Sequence, residues 1–141
     1  MTKKLFSSQP LWLNNGLLII RFITGAFMIY HGWEVFGADK MKGYVQWLTD
    51  LHFPVPAFMA YTGKTIELIS GISLVAGLFT RLMMLPLAIT MTTVTFGMGH
   101  GKVFTDDQHP FLFVLLALAF FFTGPGKWSM DQLMFQRNKT L

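Results

Sequence analysis

No cysteine occurs in the 141-residue chain. Disulfides, thiolate metal sites, iron–sulfur ligation and dithiol redox chemistry are thereby excluded within it. Charge is scarce too. Only 13% of residues are Asp, Glu, Lys or Arg, about half the share usual in globular proteins. No basic run resembles a nucleic-acid patch, so nucleic acid is not an expected partner, and the formal net charge of +4 reads as membrane orientation. Apolar residues take the place of charge: 52% of the chain is hydrophobic and 16% aromatic, with 15 Phe. A soluble domain of this size cannot bury so much apolar surface. A lipid bilayer can cover it, and is the first expected partner.

A helix that crosses a membrane needs about 20 mostly apolar residues. Four segments qualify as candidates, at about 15–32, 56–79, 81–99 and 107–123. Pro56 suits a first helical turn, and Asp107 is placed to cap the fourth segment. Only Thr80 separates the second and third, which forces an antiparallel hairpin. Between the first and second lies "KMKGYVQWLTDLHF", whose Met41, Tyr44, Val45 and Leu48 recur at helical spacing. A short amphipathic helix lying on the membrane surface fits there. The expected fold is an all-α integral membrane four-helix bundle with this extra helix, forming one domain over residues 1–141.

Lys3 and Lys4 precede the first apolar run, as in a signal peptide, but Arg21 interrupts that run and no A-x-A-like cleavage site follows. It is read as a retained span. Four spans put both termini on one side, with Lys3, Lys4, Arg81, Lys127, Arg137 and Lys139. The positive-inside rule puts the termini in the cytoplasm. Trp12 and Trp128 then mark the inner interface, and Trp33 and Trp47 the outer one.

Three ionisable residues, Arg21, Lys64 and Glu67, fall inside the spans. Each should face the bundle and find a partner, because a charge at the bilayer centre costs about 2.5–3.5 kcal/mol on insertion scales. At about 100° per residue, Arg21, Thr24, Gly25, Met28, His31 and Gly32 share one face of the first helix. Ala60, Gly63, Lys64, Glu67, Ser70, Gly71 and Leu74 share one face of the second, and Thr90, Thr93, Gly97 and His100 one face of the third. The fourth has no polar side chain from Phe111 to Phe122 and reads as a packing and lipid-facing wall. Arg21 lies about 9 Å and Glu67 about 18 Å above the inner end, a gap an arginine side chain can close. An Arg21–Glu67 contact is expected, with Lys64 beside it. Such a set is either structural glue or a proton or substrate site.

The topology gathers His31, His52, His100 and His109 at the outer ends, level with Glu34, Asp106 and Asp107. Imidazole and carboxylate can bind metal or relay protons, but no H-x-x-x-H or H-E-x-x-H spacing occurs. No metal is expected; His31, His100 and Glu34 are the candidates to hold one. His31 and His100 should face inward, whereas His109, before Pro110, reads as a cap feature. Glu34 lies roughly 140° from Arg21 on an ideal helix, outside the same pocket unless the helix bends at Gly32.

"RFITGAFMIYHGWEVFG" resembles the opening signature of the DoxX family, and "ELISGISLVAGLFTRL" its second signature. "GHG" and "GPGKWSMDQL" also fit, so that the resemblance runs from about Leu17 to Leu133. It implies a small four-span bacterial membrane protein. Relatives are linked to quinone-coupled sulfur oxidation and to membrane oxidative-stress complexes. Arg21, Gly25, His31, Gly32, Glu67, Gly71, Arg81, His100 and Gly101 are the signature positions carried over. Many relatives have a Lys shortly after the His-Gly pair, where this chain has Glu34 and Val35, and Lys64 is placed to stand in for it.

Three functional readings follow. The first is a quinone-linked redox component, at most an oxidoreductase subunit. Its quinone would be held by Arg21, His31, Lys64, Glu67 and His100, with Glu67, His31 and Lys64 as catalytic candidates. Electrons would come from a membrane or soluble redox partner or a bound cofactor. The second is a non-enzymatic membrane subunit, or a lipid- or small-molecule-binding protein. The third is a proton or small-solute transporter, which with four spans calls for a homo-oligomer.

Overall fold

The apolar runs fold as helix. The structure, a computed structural model, describes residues 12–135, and no strand occurs among the described residues. Helix α1 spans Leu13–Gly32 and tightens into a 3-10 turn over Trp33–Phe36. Helix α2 covers Ala38–Asp50 and α3 Pro56–Ala76. Helix α4 runs over Thr80–Thr92, with Pro86 inside it, and widens into a π-helical stretch over Thr93–Met98. Helices α5, Gln108–Thr123, and α6, Met130–Phe135, complete the order. Lys3, Lys4, Arg137 and Lys139, which the sequence-based orientation uses, lie outside the described residues.

Glycine sets where α3 stops. Gly77 adopts φ 66°, and its N–H bonds back to Ser73 and Leu74. This left-handed cap ends α3 at Ala76 rather than at the sequence-based boundary, Phe79. Thr80 then opens α4. Its free N-terminal amides are capped from far along the chain: the Asp131 carboxylate accepts the N–H groups of Phe79 at 2.7 Å and Thr80 at 3.1 Å.

Helices α1 and α3 pack antiparallel at very close range. A Cβ added to Gly25 would lie 2.9 Å from the Gly71 carbonyl, and one on Gly71 2.6 Å from the Ile29 nitrogen. A Cβ on Gly32 would land in the backbone of Leu68. Small residues make this approach possible, as in membrane helix pairs generally. Met28, Leu74, Met84, Leu87, Phe113 and Phe120 build the main core between α1, α3, α4 and α5.

Helix α2 folds back over the distal end, where α1 finishes; the opposite, proximal end holds the start of α1 and α6. Its Met41 and Leu48 are buried and pack with Ala60 of α3. The predicted short helix is therefore present, but its apolar face covers protein rather than lying free on a membrane.

Apolar side chains cover the outside. Ile19, Phe22, Ile23 and Phe27 of α1 are exposed, as are Ile72, Ile89, Leu115 and Phe122 on the other helices, whereas Arg21 and Glu67 are buried. That is the reverse of a water-soluble fold. By length and composition, Leu13–Phe36 and Thr80–Met98 are long and apolar enough to cross a membrane, and α5 is a shorter apolar helix. Helix α3 has the length, but Lys64, Glu67, Ser70 and Ser73 keep it below that apolarity.

Candidate functional site

In the distal half a cavity of about 440 Å³ opens between α1, α2, α3, α4 and α5. Most of its wall is apolar, with Met28, Met59, Met91, Phe58 and Phe113 among the contributors. The polar and titratable side chains are His31, Tyr44, Thr62, Lys64, Glu67 and His109, with Thr90 of α4 and Thr93 of the π-helical stretch. Size and lining match a small-molecule site, which for typical ligands is about 300–1,000 Å³ and mostly apolar.

Lys64 is the hub. Its Nζ donates to Glu67 Oε2 at 3.0 Å and to the His31 carbonyl at 3.4 Å, and lies 3.2 Å from Glu34 Oε2. It also sits 4.6 Å from the centre of the Tyr44 ring, a cation–π contact. Tyr44 donates its hydroxyl to Glu34 at 2.5 Å, and exposed Lys40 reaches the same carboxylate at 3.3 Å. Two ammonium groups and two carboxylates thus form one chain from buried Glu67 to the distal surface, with no net charge. Burial, and then the hydrogen bond to Glu34, hold the Tyr44 phenol above its ordinary pKa, so it stays protonated and donates. On the other side the rings of His31 and His109 meet edge to face at 5.3 Å, and both also meet Phe113 edge to face.

Several sequence-based placements change. Arg21 does not meet Glu67. It is buried, but its Nη1 donates to the Pro125 carbonyl at 2.8 Å and its Nη2 to the Trp128 carbonyl at 2.7 Å, at the proximal end. Helical side chains lean toward their helix N-terminus. For Arg21 on α1 that direction is proximal; for Lys64 and Glu67 on antiparallel α3 it is distal. The two sets therefore diverge.

His100 is exposed and lines no part of the cavity. The π-helical stretch ends at Met98, so the stripe through Thr90 and Thr93 does not continue to it. His109 does line the cavity, although before Pro110 it read as a cap. Glu34 joins the network because the chain tightens after Gly32. Two residues at 3-10 pitch turn it about 40° further than an α-helix would, and α2 supplies Tyr44 and Lys40 around it.

Asp107 precedes α5 but makes no side-chain cap to it. It accepts the N–H groups of His100 and Lys102, each at 2.9 Å. Trp47, expected as an outer marker, is part of the cavity wall. Among the described residues no three His, Cys, Asp or Glu side chains are grouped to hold a metal ion. His31, His100 and Glu34 do not converge.

The DoxX family model matches residues 16–100. The chain is 29% identical over 125 residues to "Putative oxidoreductase CatD" of Bacillus subtilis, an alignment covering 88% of this chain and 90% of that one. It is 32% identical over 118 residues to "Inner membrane protein YphA" of Escherichia coli, covering 70% and 79% respectively. No solved structure matches.

Proposed function

The chain belongs to the DoxX family of membrane proteins, and from that premise we propose that its distal cavity binds a quinone head group and works in membrane redox chemistry. The observation that carries this reading is the cavity itself, of about 440 Å³, whose mostly apolar wall includes Lys64 and Glu67 together with the imidazoles of His31 and His109. A quinone ring fits that division. Its carbonyl oxygens need hydrogen-bond donors, which Lys64 and the imidazoles offer, and its apolar tail needs a wall such as Phe58 and Ile89.

A bound quinone supplies a two-electron, two-proton couple, and the electrons come from a partner protein or cofactor. This chain's part is to bind and to handle protons. Lys64 orients the ring by donating from Nζ. Glu67 is the proton acceptor at the cavity edge. Glu34, bridged to Glu67 by Lys64, connects that edge to the distal surface. The name oxidoreductase carried by the Bacillus relative agrees with this reading.

In the same reading the protein is a four-span bundle of the bacterial inner membrane, formed by α1, α3, α4 and α5, with its termini in the cytoplasm. The name of the Escherichia relative supports the compartment, and the sequence count supports the orientation: Lys3, Lys4, Arg81, Lys127, Arg137 and Lys139 on the terminal side outnumber Lys40, Lys42 and Lys102 on the other. Purification in mild detergent tests the function. Quinone should be found with the wild type by mass spectrometry and lost from His31→Ala and Glu67→Gln. Wild-type protein free of quinone, with partner proteins still attached, would instead support the non-enzymatic subunit. That alternative has one observation of its own: Arg21 Nη1 and Nη2 both donate to backbone carbonyls, a structural task.

A further inference from the structure

A second pocket, about 490 Å³, lies at the proximal end between the starts of α1 and α4, the 124–126 loop and α6. It has two unlike halves. Asn14, Arg81 and Lys127 form one; Phe79, Leu82 and Phe135 form the other. The last three are all exposed, and the rings of Phe79 and Phe135 stand 6.0 Å apart.

Positive charge is in excess here. Among the described residues neither Arg81 nor Lys127 forms an ion pair. Among the described residues the Arg81 guanidinium donates to the Phe122 carbonyl alone, at 3.4 Å. Asp131 also lines the pocket, but its carboxylate already accepts the two N–H groups at the start of α4. Behind the loop stands buried Arg21, whose Nε has no partner among the described residues. Two cations thus line the pocket with one committed carboxylate, and Arg21 stands behind them outside the lining. Gly124 fits this arrangement. With φ 73°, it lacks the Cβ that would stand 3.3 Å from Arg81 Nη2, so the guanidinium can lie across the loop.

The exposed rings of Trp12 and Trp128 lie at the same end, the side chains that gather at a membrane interface. Arginine is suited to phosphate by its planar fork of donors. A free phosphate would use Arg81 and Lys127 but would have no use for Phe79, Leu82 and Phe135. A lipid would use both halves. We propose that this pocket binds the phosphodiester head group of an anionic phospholipid, with an acyl chain along Phe79, Leu82 and Phe135. This site is separate from the distal cavity and does not depend on what that cavity holds.

Native mass spectrometry of the full chain in mild detergent tests it, with phosphatidylglycerol, chain-matched phosphatidylcholine and inorganic phosphate as probes. Each surface cation is worth about 5-fold in affinity for anionic lipid. The Arg81→Gln/Lys127→Gln variant should therefore bind phosphatidylglycerol about 30-fold more weakly, with phosphatidylcholine unchanged. Equal binding of the two lipids by the wild type overturns the proposal, as does undiminished phosphatidylglycerol binding by the double variant. Inorganic phosphate that displaces the lipid at millimolar concentration and alone raises the melting temperature assigns the pocket to free phosphate, and the lipid proposal fails. If the double variant does not fold, Lys127→Gln alone decides, with about 5-fold expected and no change refuting.

Discussion

Replacing Lys64 by Met removes the hub of the distal network while nearly keeping its volume. Glu67, whose side chain is 6% exposed, then loses the cation at 3.0 Å that neutralises it. Glu34 loses a contact at 3.2 Å but keeps Lys40 and Tyr44. The cost therefore falls mainly on Glu67. Removing one partner of a buried pair costs about 3–5 kcal/mol. Hydrogen bonds in membrane bundles average only about 0.6 kcal/mol, because the unfolded helices also find partners in lipid. Since Glu67 is a charge rather than a neutral group, about 3 kcal/mol is expected for Lys64→Met, near the insertion cost of one carboxylate. Lys64→Met/Glu67→Leu removes both charges and should recover most of that loss. Reversible unfolding in mixed micelles measures both. A single variant within about 0.5 kcal/mol of wild type, or a double variant no better than the single, would refute the assignment of Lys64 and Glu67 as one coupled unit.

Three other perturbations have definite outcomes. Gly32→Ala places a methyl in the Leu68 backbone, so α1 and α3 must separate; a loss of about 1–3 kcal/mol is expected in the same unfolding assay. Asp131→Ala removes the cap from Phe79 and Thr80 and should cost about 1–2 kcal/mol, with hydrogen exchange speeding first at those two amides. Asp107 is held below the usual carboxylate range by the N–H of Lys102 and then of His100. Its contribution to loop order is therefore complete above the unfolded pKa of about 3.9 and fades as pH falls through the lower folded value. Amide protection at Lys102 should follow that course and become independent of pH in Asp107→Asn, whose amide oxygen still accepts but does not titrate.

Much of the fold was legible in the sequence because helical period and apolar length are local properties. The spacing of Met41, Tyr44, Val45 and Leu48 gave α2, and the small-residue faces through Gly25, Gly32 and Gly71 gave the α1–α3 contact. The site was legible only in part. His31, Lys64 and Glu67 do meet one cavity. Arg21 does not reach Glu67, because depth along the helix axis leaves out the direction in which side chains lean. Glu34 lines no part of the cavity, but the 3-10 turn after Gly32 departs from the ideal-helix angle and brings it to Lys64 and Tyr44. His109 and Asp131 act on residues far away in the chain, and no local pattern marks that.

The central claim is that the edge of the distal cavity formed by Lys64 and Glu67 recognises a quinone. Titration of the purified protein with a short-chain quinone tests it most directly. Losing a hydrogen bond to a charged group is worth about 1.5–3 kcal/mol. Glu67→Gln and Lys64→Met should therefore raise Kd at least about 10-fold, while His100→Ala, outside the cavity, should leave it unchanged. Equal affinity in wild type, Glu67→Gln and Lys64→Met would contradict the account.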